Sequence, residues 1–463
     1  MTFEEGLMIF FVILGIYFSV VFVLKKKGLM DRYNLSLWGP AVMWRTEKGK
    51  KLIDRIAQQK RFWRGYANAG IVVCFILMVL MLFLLISALP IVLEQEETIV
   101  SSNPQLIIGL PGLNPVIPLW YGILGFIVAL IVHEFSHGIL SRVGGIKVKS
   151  LGLLYFIVPI GAFCEPDEKA LQKTSNKKRM RVFAAGPMSN VVTAFICIGL
   201  ISVLMYTAVQ PAAEGVGVYS TVQGLPADDA GLQPGMIVTS IHNTSISSIE
   251  DFQQVMKTTA ANQTVELSYV SGKESYTEYI QLADKYQIAY QAMLDQYGTV
   301  NTSLLTDFVG KGYLGASVTT QFKQDLQILQ NPFAGFPLGF LYYMSIPLLG
   351  LLDGYSPLIA PFSDYFVTVD ILPAPVFWGI VNVLYWVFWI NFMLATFNVL
   401  PMVPLDGGYM FRDVIDSALK KIKGSLPDEK REKIIRHVSL VVSLLILAVI
   451  LLPILLPHIR GLF

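Results

Sequence analysis

Long apolar stretches alternate along this chain with segments that are rich in charged residues. Six of the apolar stretches are long enough to cross a bilayer as helices, because about 20 apolar residues span its hydrocarbon core. They cover residues 6–24, 68–90, 116–140, 182–208, 376–400 and 438–456. A hydrophobic content of 54% and a mean hydropathy of +0.57 exclude an ordinary soluble protein. The pattern predicts a polytopic α-helical membrane protein of about six spans plus re-entrant segments.

The basic residues orient the predicted spans. Residues 25–66 and 412–436 are dense in lysine and arginine, whereas the loop at 91–115 carries three glutamates and no basic residue. Because cytoplasmic loops are enriched in Lys and Arg, the two basic segments are predicted to be cytoplasmic and the loop external. Because the chain is compact and has no Cys-rich external domain, we expect a multi-pass protein of a prokaryotic plasma membrane, with which an archaeal source is compatible.

Two further apolar segments contain glycine and proline and do not resemble full spans. Residues 150–168 are flanked by basic residues on both sides, so we expect them to enter and leave the membrane on the cytoplasmic side. Irregular backbone at that depth has to line a polar cavity or be buried in protein. Residues 333–372 carry internal prolines, and a crossing there would place the basic segment 412–436 outside. We therefore predict a membrane-surface or re-entrant segment.

The polar region that follows the fourth span, residues 209–330, is predicted to be an external domain. Its residues 215–258 resemble a PDZ domain: Gly215 to Val218 match the first strand and its glycine-containing loop, and Ile249 to Lys257 match the groove helix. Met236 departs from the acidic residue common after the preceding glycine in that family. PDZ domains bind extended peptides as an added strand, so the resemblance implies peptide tails as ligands. An unrelated small β domain is the alternative, and residues 287–330 are expected to add further strands.

Three polar clusters interrupt otherwise apolar spans. They are HEFSH at residues 133–137, GPMSN at 186–190 and NVLPMVPLDGG at 398–408. The predicted topology places all three at similar depth near the cytoplasmic side, although the motifs themselves do not require this. Ionisable groups in a membrane span indicate a functional site, because burying them in hydrocarbon is costly.

The residue types in these clusters indicate zinc chemistry. The H-E-x-x-H spacing puts His133 and His137 on one face of a helix, and a catalytic zinc takes three protein ligands and a water. Asp406, after two prolines and before two glycines, is predicted to supply the third ligand. Glu134 is predicted to act as the general base toward the zinc-bound water.

Two asparagines are candidate catalytic residues. Asn190 carries an amide that is able to stabilise the carbonyl oxygen as charge develops, and Asn398 is a candidate to hold the substrate backbone or to orient the aspartate loop. Both have an alternative interpretation, because polar side chains also bridge transmembrane helices. We assign no role to the remaining histidines, and expect no disulfide framework or Cys-based metal site. The residues set aside in this way are Cys74, Cys164, Cys197, His242, His437, His458 and the surface aspartates Asp353, Asp364 and Asp370.

Together the three motifs resemble the site-2 protease family of intramembrane zinc metalloproteases, over roughly residues 116–408. The resemblance implies one catalytic zinc and regulated intramembrane proteolysis of membrane proteins that another protease has already trimmed. It implies the lipid bilayer as surroundings and no nucleic acid as partner. Two alternatives remain open: a membrane-bound H-E-x-x-H metalloprotease of another class, and a non-proteolytic scaffold that binds tails through the PDZ-like domain.

The predicted domain organisation has six parts. They are N-terminal accessory spans with a basic cytoplasmic loop (1–115), a first part of the protease core (116–208), an extracytoplasmic PDZ-like α+β domain (209–330), a membrane-surface or re-entrant segment (331–375), a second part of the core (376–411), and a basic cytoplasmic segment with the C-terminal span (412–463).

Overall fold

The computed structural model describes residues 3–94, 104–107, 109, 111–156, 158–369, 372–422 and 426–460. The chain forms two compact units. The first comprises Met1–Ile196 and Trp386–Phe463, and the second comprises Cys197–Tyr385. The second unit is therefore inserted between two segments of the first.

Helices account for most of the described residues. In chain order they are α1 (Phe3–Lys26), α2 (Leu29–Arg32), α3 (Lys50–Ile56), α4 (Lys60–Glu94), α5 (Leu119–Val143), α6 (Glu168–Gln172), α7 (Asn176–Phe183), α8 (Ala185–Ala208), α9 (Pro226–Asp229), α10 (Ile249–Thr258), α11 (Lys285–Tyr297), α12 (Gln321–Gln330), α13 (Leu338–Leu352), α14 (Ala374–Asn398), α15 (Asp406–Ile422) and α16 (Asp428–Arg460).

The strands are shorter and fall into separate sheets. They are β1 (Leu35–Trp38), β2 (Ala41–Thr46), β3 (Val148–Phe156), β4 (Val158–Pro166), β5 (Val209–Pro211), β6 (Val216–Thr221), β7 (Ile237–Ile241), β8 (Thr244–Ser245), β9 (Thr264–Ser271), β10 (Glu274–Gln281), β11 (Ala283–Asp284), β12 (Gly312–Tyr313), β13 (Ala316–Thr319) and β14 (Phe366–Thr368).

Five helices in the described part of the chain are long and apolar enough to cross a membrane. They cover Lys60–Glu94, Leu119–Val143, Asn176–Ala208, Ala374–Asn398 and Asp428–Leu456. Each overlaps a predicted span, although the ends differ. The remaining predicted span, at 6–24, falls within α1, and many side chains in the first half of that helix lie outside the described residues. A multi-pass helical membrane protein therefore accounts for the observed elements.

The first unit contains a four-stranded antiparallel sheet in the order β1-β2-β3-β4. Its last two strands form a hairpin from the segment 150–168, where the sequence predicts irregular backbone. Its first two strands come from the basic segment 25–66, which the sequence predicts to be only a loop. Leu151, for example, lies opposite both Thr46 of β2 and Cys164 of β4. The backbone of β3 is paired on both sides and that of β4 on one side, so this segment forms regular strands and not irregular backbone.

The second unit contains the PDZ-like domain. Its main sheet has the order β10-β9-β7-β6-β13, with β8 paired to β7. Helix α10 begins with a capping box, in which Ser248 and Asp251 bond each other's backbone N–H groups. Val216, Val238 and Leu267 are among the fully buried side chains of its core. As expected, residues 287–330 add strands, and β13 pairs with β6, so β6 is an inner strand.

Two details of this unit concern the segments on either side of the PDZ-like sheet. Residues Val209–Pro211 pair with Phe366–Thr368 and not with the PDZ-like sheet. In the segment predicted to lie at the membrane surface, 331–375, the described residues include the apolar helix α13, which has 15 residues. That helix is shorter than the roughly 20 residues that a span requires. Its placement at the membrane surface stays a prediction.

Candidate metal centre

Helix α5 brings the two histidines of the HEFSH motif together. His133 and His137 are one helical turn apart, and their rings lie edge to face with centroids 4.7 Å apart. His133 is 6% exposed, and the side chain of His137 is 12% exposed. The helix therefore presents two imidazoles on one face inside the protein.

The turn between α14 and α15 delivers the aspartate. Helix α14 ends at Asn398 and α15 begins at Asp406, with two prolines in the intervening segment. The glycines after Asp406 allow this turn to fold closely over the start of α15. A Cβ at Gly407 would lie 2.1 Å from the Val399 carbonyl oxygen, and one at Gly408 would lie 2.6 Å from the Met402 carbonyl oxygen. Because only glycine fits there, the LDGG sequence fixes where the Asp406 carboxylate lies.

The three side chains converge on one point. The Asp406 Oδ2 atom lies 3.1 Å from His133 Nε2 and 3.3 Å from His137 Nε2, and it has no hydrogen-bond partner of acceptable geometry although it is buried. Ligand atoms around a tetrahedral zinc, at 2.0–2.2 Å from the ion, are separated by about 3.3 Å. In the described part of the chain, these three residues are the group of His, Cys, Asp and Glu side chains whose ligand atoms are close enough to share a metal ion.

Gly186 of helix α8 lies directly in front of both imidazoles, and the absence of a side chain there leaves space beside the two rings. A Cβ at Gly186 would lie 2.6 Å from the Nε2 atoms of His133 and His137. The GPMSN motif therefore brings a backbone without a side chain next to the three ligand atoms. An orphaned carboxylate oxygen, two converging ring nitrogens and this open cradle together fit a zinc ion.

Hydrogen bonds at the far side of each ring set its orientation. His137 Nδ1 lies 2.7 Å from the Val182 carbonyl oxygen, an acceptor, so Nδ1 carries the proton and Nε2 keeps its lone pair. His133 Nδ1 lies 3.4 Å from the side-chain amide of Asn190. The Asn190 Oδ1 atom is buried and unpaired, and rotating the amide by 180° turns this oxygen toward the His133 N–H.

The HEFSH helix also holds the predicted base against the sheet. Glu134 Oε2 accepts a hydrogen bond of 2.8 Å from the backbone N–H of Cys164 in β4. This bond fixes one carboxylate oxygen and leaves Oε1 available. It also places the glutamate beside the outermost strand of the sheet.

The structure places the two predicted asparagines differently. Asn190 is fully buried and contacts His133, a ligand candidate. Asn398 is the last residue of α14, and its amide donates to the Leu394 carbonyl of its own helix at 3.0 Å. The structure thus brings Asn190 to the candidate ligands, whereas the amide of Asn398 bonds within its own helix.

Sequence reasoning missed several residues that support the centre. The Val182 carbonyl and the Cys164 N–H are backbone groups, which side-chain motifs do not reveal. A chain of hydroxyl groups runs from Ser136 to Ser189 at 2.6 Å and on to Tyr66 at 2.7 Å. The two serines lie inside the motifs, but Tyr66 lies in α4, in the region predicted to be accessory, and no sequence pattern pointed to it.

Comparison with known proteins agrees with this arrangement. The model of peptidase family M50 matches residues 121–446. An uncharacterised protein of Methanocaldococcus jannaschii is 26% identical over 387 residues, which are 83% of this chain and 80% of that protein. The zinc metalloprotease RasP of Shouchella clausii is 23% identical over 270 residues, which are 58% of this chain and 56% of that protein. The family match spans more than half of the chain and contains all three motifs, and the chain therefore belongs to peptidase family M50, the site-2 protease family of zinc metalloproteases.

Proposed function

We propose that this metalloprotease hydrolyses peptide bonds within or near the transmembrane segments of membrane proteins, as in regulated intramembrane proteolysis. The observation that carries the proposal is the position of the candidate site. His133, Glu134 and His137 lie on a helix long and apolar enough to cross a membrane, and Asn190 lies on another. A site built on such helices is suited to substrates that are themselves in the membrane.

In this proposal one zinc is held by His133, His137 and Asp406. The bound ion would supply a water of lowered pKa and would polarise the scissile carbonyl. The Glu134 carboxylate takes a proton from the attacking water as the new C–O bond forms. It then gives that proton to the nitrogen of the scissile bond as the C–N bond breaks, so the products are a carboxylate and an amine.

The asparagines have separate proposed roles. Asn190 accepts from His133 Nδ1–H and so orients that ring, or donates to the developing oxyanion as the sequence suggests. Asn398, at the end of α14, holds the substrate backbone or the aspartate turn. The two roles of Asn190 differ in whether its removal weakens zinc binding or only slows turnover.

Strand β4 offers a surface for presenting an unwound substrate. A helical peptide bond is shielded and already hydrogen-bonded, so the substrate has to adopt an extended form before hydrolysis. β4 is the last strand in the sheet order, and the Cys164 N–H points from it to Glu134. Residues two apart on a strand point their backbone groups to the same edge. The N–H and C=O of Ala162 therefore lie on the edge of β4 that carries the Cys164 N–H. An extended substrate added there would lie beside the proposed base.

The PDZ-like domain and the membrane topology complete the proposal. We infer that the domain lies outside the membrane on the extracytoplasmic face, where it binds peptide tails and selects substrates already trimmed by another protease. The metal centre would lie near the cytoplasmic side of a prokaryotic plasma membrane, and water would reach it from there.

The test uses the full chain reconstituted in liposomes with a single-span membrane protein as substrate. We expect the wild type to cut within or next to the transmembrane segment, with the position read by mass spectrometry, and Glu134→Gln to leave the substrate intact. A matched soluble peptide with the same polar flanks but no span is the control. Cleavage of the soluble peptide alone would contradict an intramembrane substrate, and full activity of Glu134→Gln would contradict the assigned base.

A further inference from the structure

We propose that Arg179 is a positioning residue for the metal centre, because it locks helix α7 onto helix α15 and so fixes His137 relative to Asp406. This inference rests on the zinc ligands proposed above. It assigns a role to a residue outside the three motifs, in a segment that the sequence marks only as basic.

Two ligand candidates depend on two different helices for their placement. His137 is oriented by the Val182 carbonyl oxygen, which belongs to α7. Asp406 is the first residue of α15. A shift of α7 against α15 would therefore turn the His137 ring while Asp406 stayed in place. The contact between these two helices controls the geometry of the ligands.

All five N–H donors of the Arg179 guanidinium are used at this contact. Nε donates to Asp413 Oδ1 of α15 at 2.9 Å, and one of the two N–H groups of Nη2 donates to the same oxygen. The second N–H group of Nη2 donates to Asn176 Oδ1 at 2.8 Å. Nη1 donates to the carbonyls of Gln172 and Thr174, which lie just before α7, at 3.1 and 3.0 Å. One planar group thus connects α7, the turn that leads into it, and α15.

Other contacts join the same two helices along the whole length of α7. At its start, Asn176 donates to the Asp416 carboxylate at 2.8 Å. At its end, Phe183 stacks on Tyr409 with ring centroids 4.8 Å apart and an angle of 15°. Arg179 lies between them, and its carboxylate partner Asp413 is only 5% exposed. The aspartates of α15 at this contact are buried, and the Arg179 side chain is 19% exposed.

Arginine is required here for a chemical reason. The ammonium group of a lysine has three donors on a flexible stem and no planar fork, so a lysine at this position would be unable to bond Asp413, Asn176 and both carbonyls together. The hydrogen bonds to the Gln172 and Thr174 carbonyls would be lost. The substitution Arg179→Lys therefore keeps the charge while removing the geometry.

Arg412 provides a matched control on the partner helix α15. It is the residue next to Asp413, and its guanidinium pairs with Glu432 at 2.8 Å, but that pair is exposed and does not reach α7. Arg412→Lys thus makes the same chemical change close to the proposed contact but outside it.

The test measures metal binding by the purified full chain. Zinc is removed, and the protein is titrated with Zn²⁺ and separately loaded with Co²⁺, whose visible absorption reports ligand geometry. We expect Arg179→Lys to weaken zinc affinity about 10–100-fold, the range seen when partners of metal ligands are removed, and to shift the cobalt spectrum. Arg412→Lys is expected to match the wild type. Asp413→Asn, which disturbs the same contact from α15, is expected to shift the spectrum as Arg179→Lys does.

A chemical rescue excludes a general loss of folding. Arg179 borders a cavity of about 1060 Å³ in the first unit, so a small guanidinium has access to its position. We expect added methylguanidine to restore the cobalt spectrum of Arg179→Ala, which an irreversibly misfolded protein would not show. Wild-type zinc affinity and an unchanged spectrum in Arg179→Lys and Asp413→Asn would overturn the role of Arg179 alone. Failure of the wild type to bind zinc would overturn the proposed ligands and this role with them.

Discussion

Asp325 in the second unit and Asp406 in the first unit are both largely enclosed, but their carboxylates have opposite surroundings. Asp325 in the second unit is fully buried and accepts hydrogen bonds from Tyr342 at 2.6 Å, from Gln321 at 3.2 Å and from the Tyr355 hydroxyl. Asp406 in the first unit has a buried oxygen that faces two imidazole nitrogens and has no hydrogen-bond partner.

The difference distinguishes a structural carboxylate from a candidate metal ligand. A buried carboxylate is costly unless donors or a cation compensate for lost water. Hydrogen bonds from Gln321, Tyr342 and Tyr355 compensate the Asp325 carboxylate for the lost water, so it needs no ion. Asp406 Oδ2 faces two ring nitrogens and accepts no hydrogen bond, and we propose that a cation shared with His133 and His137 is its partner. Burial alone therefore does not identify a functional aspartate, whereas the count of its donors does.

The largest effect is expected on the chemical step. Glu134→Gln keeps the side-chain size but removes the base, so the cleavage rate should fall about 10²–10⁴-fold while zinc content stays at the wild-type level. Rate measurements with the liposome substrate, together with metal analysis, check both parts. A variant that loses its zinc would show instead that Glu134 is needed for metal binding.

The next effect concerns the stability of the second unit. Asp325→Ala removes the common acceptor of Tyr342, Tyr355 and Gln321, and unpaired buried donors cost free energy. We expect the free energy of unfolding of this unit to fall by roughly 3 kcal/mol. Urea unfolding followed through hydrogen exchange in α12 measures it. Zinc content should not change, and a loss of zinc would break the proposed distinction between the two aspartates.

A smaller effect separates the two roles of Asn190. If Asn190 orients His133, Asn190→Ala should weaken zinc affinity about 10–100-fold. If it stabilises the oxyanion, zinc affinity should be unchanged and the turnover number should fall about 10²–10³-fold. The contact with His133 favours the first result. Zinc titration and kinetics on one preparation decide between them.

The smallest effect is a pH dependence. Burial raises the pKa of the Asp325 carboxyl, although hydrogen bonds from Tyr342, Tyr355 and Gln321 oppose the change. A carboxyl with a higher pKa in the folded state stabilises that state most below its unfolded pKa of about 4, and the contribution is lost as the pH rises through the folded pKa.

We therefore expect the protection of α12 amides to decrease as the pH rises from about 4 toward neutrality, after correction for intrinsic exchange. Asp325→Asn has no titrating group, so it should lack this part of the pH profile. Identical profiles in the two proteins would contradict the raised pKa.

The same comparison shows what the sequence was able to predict. Asp406 was predictable because an ionisable residue among prolines and glycines in an apolar segment is rare, and a partner motif was visible elsewhere. Asp325 was not, because it lies in a polar helix and its tyrosine partners are 17 and 30 residues further along the chain. Contacts of that kind depend on packing, which the local pattern does not encode.

The long helices were predictable from apolar length alone, whereas the sheet of the first unit was not. Strands β1 and β2 have only four and six residues, in a segment whose many basic residues indicated a loop. Strand β2 is stabilised by pairing with β3, more than a hundred residues later, and β1 is stabilised by pairing with β2. The Val182 carbonyl oxygen, which accepts from His137, was not predictable for a similar reason, because its position depends on how α7 packs.

The most direct test of the account is the zinc content of three purified proteins, measured by mass spectrometry of the metal. We predict one zinc per chain in the wild type, none in Asp406→Ala, and one in Asp325→Ala, which makes the same substitution at a buried aspartate of the other unit. Full zinc content in Asp406→Ala, or the absence of zinc from all three proteins, would contradict the proposed metal centre.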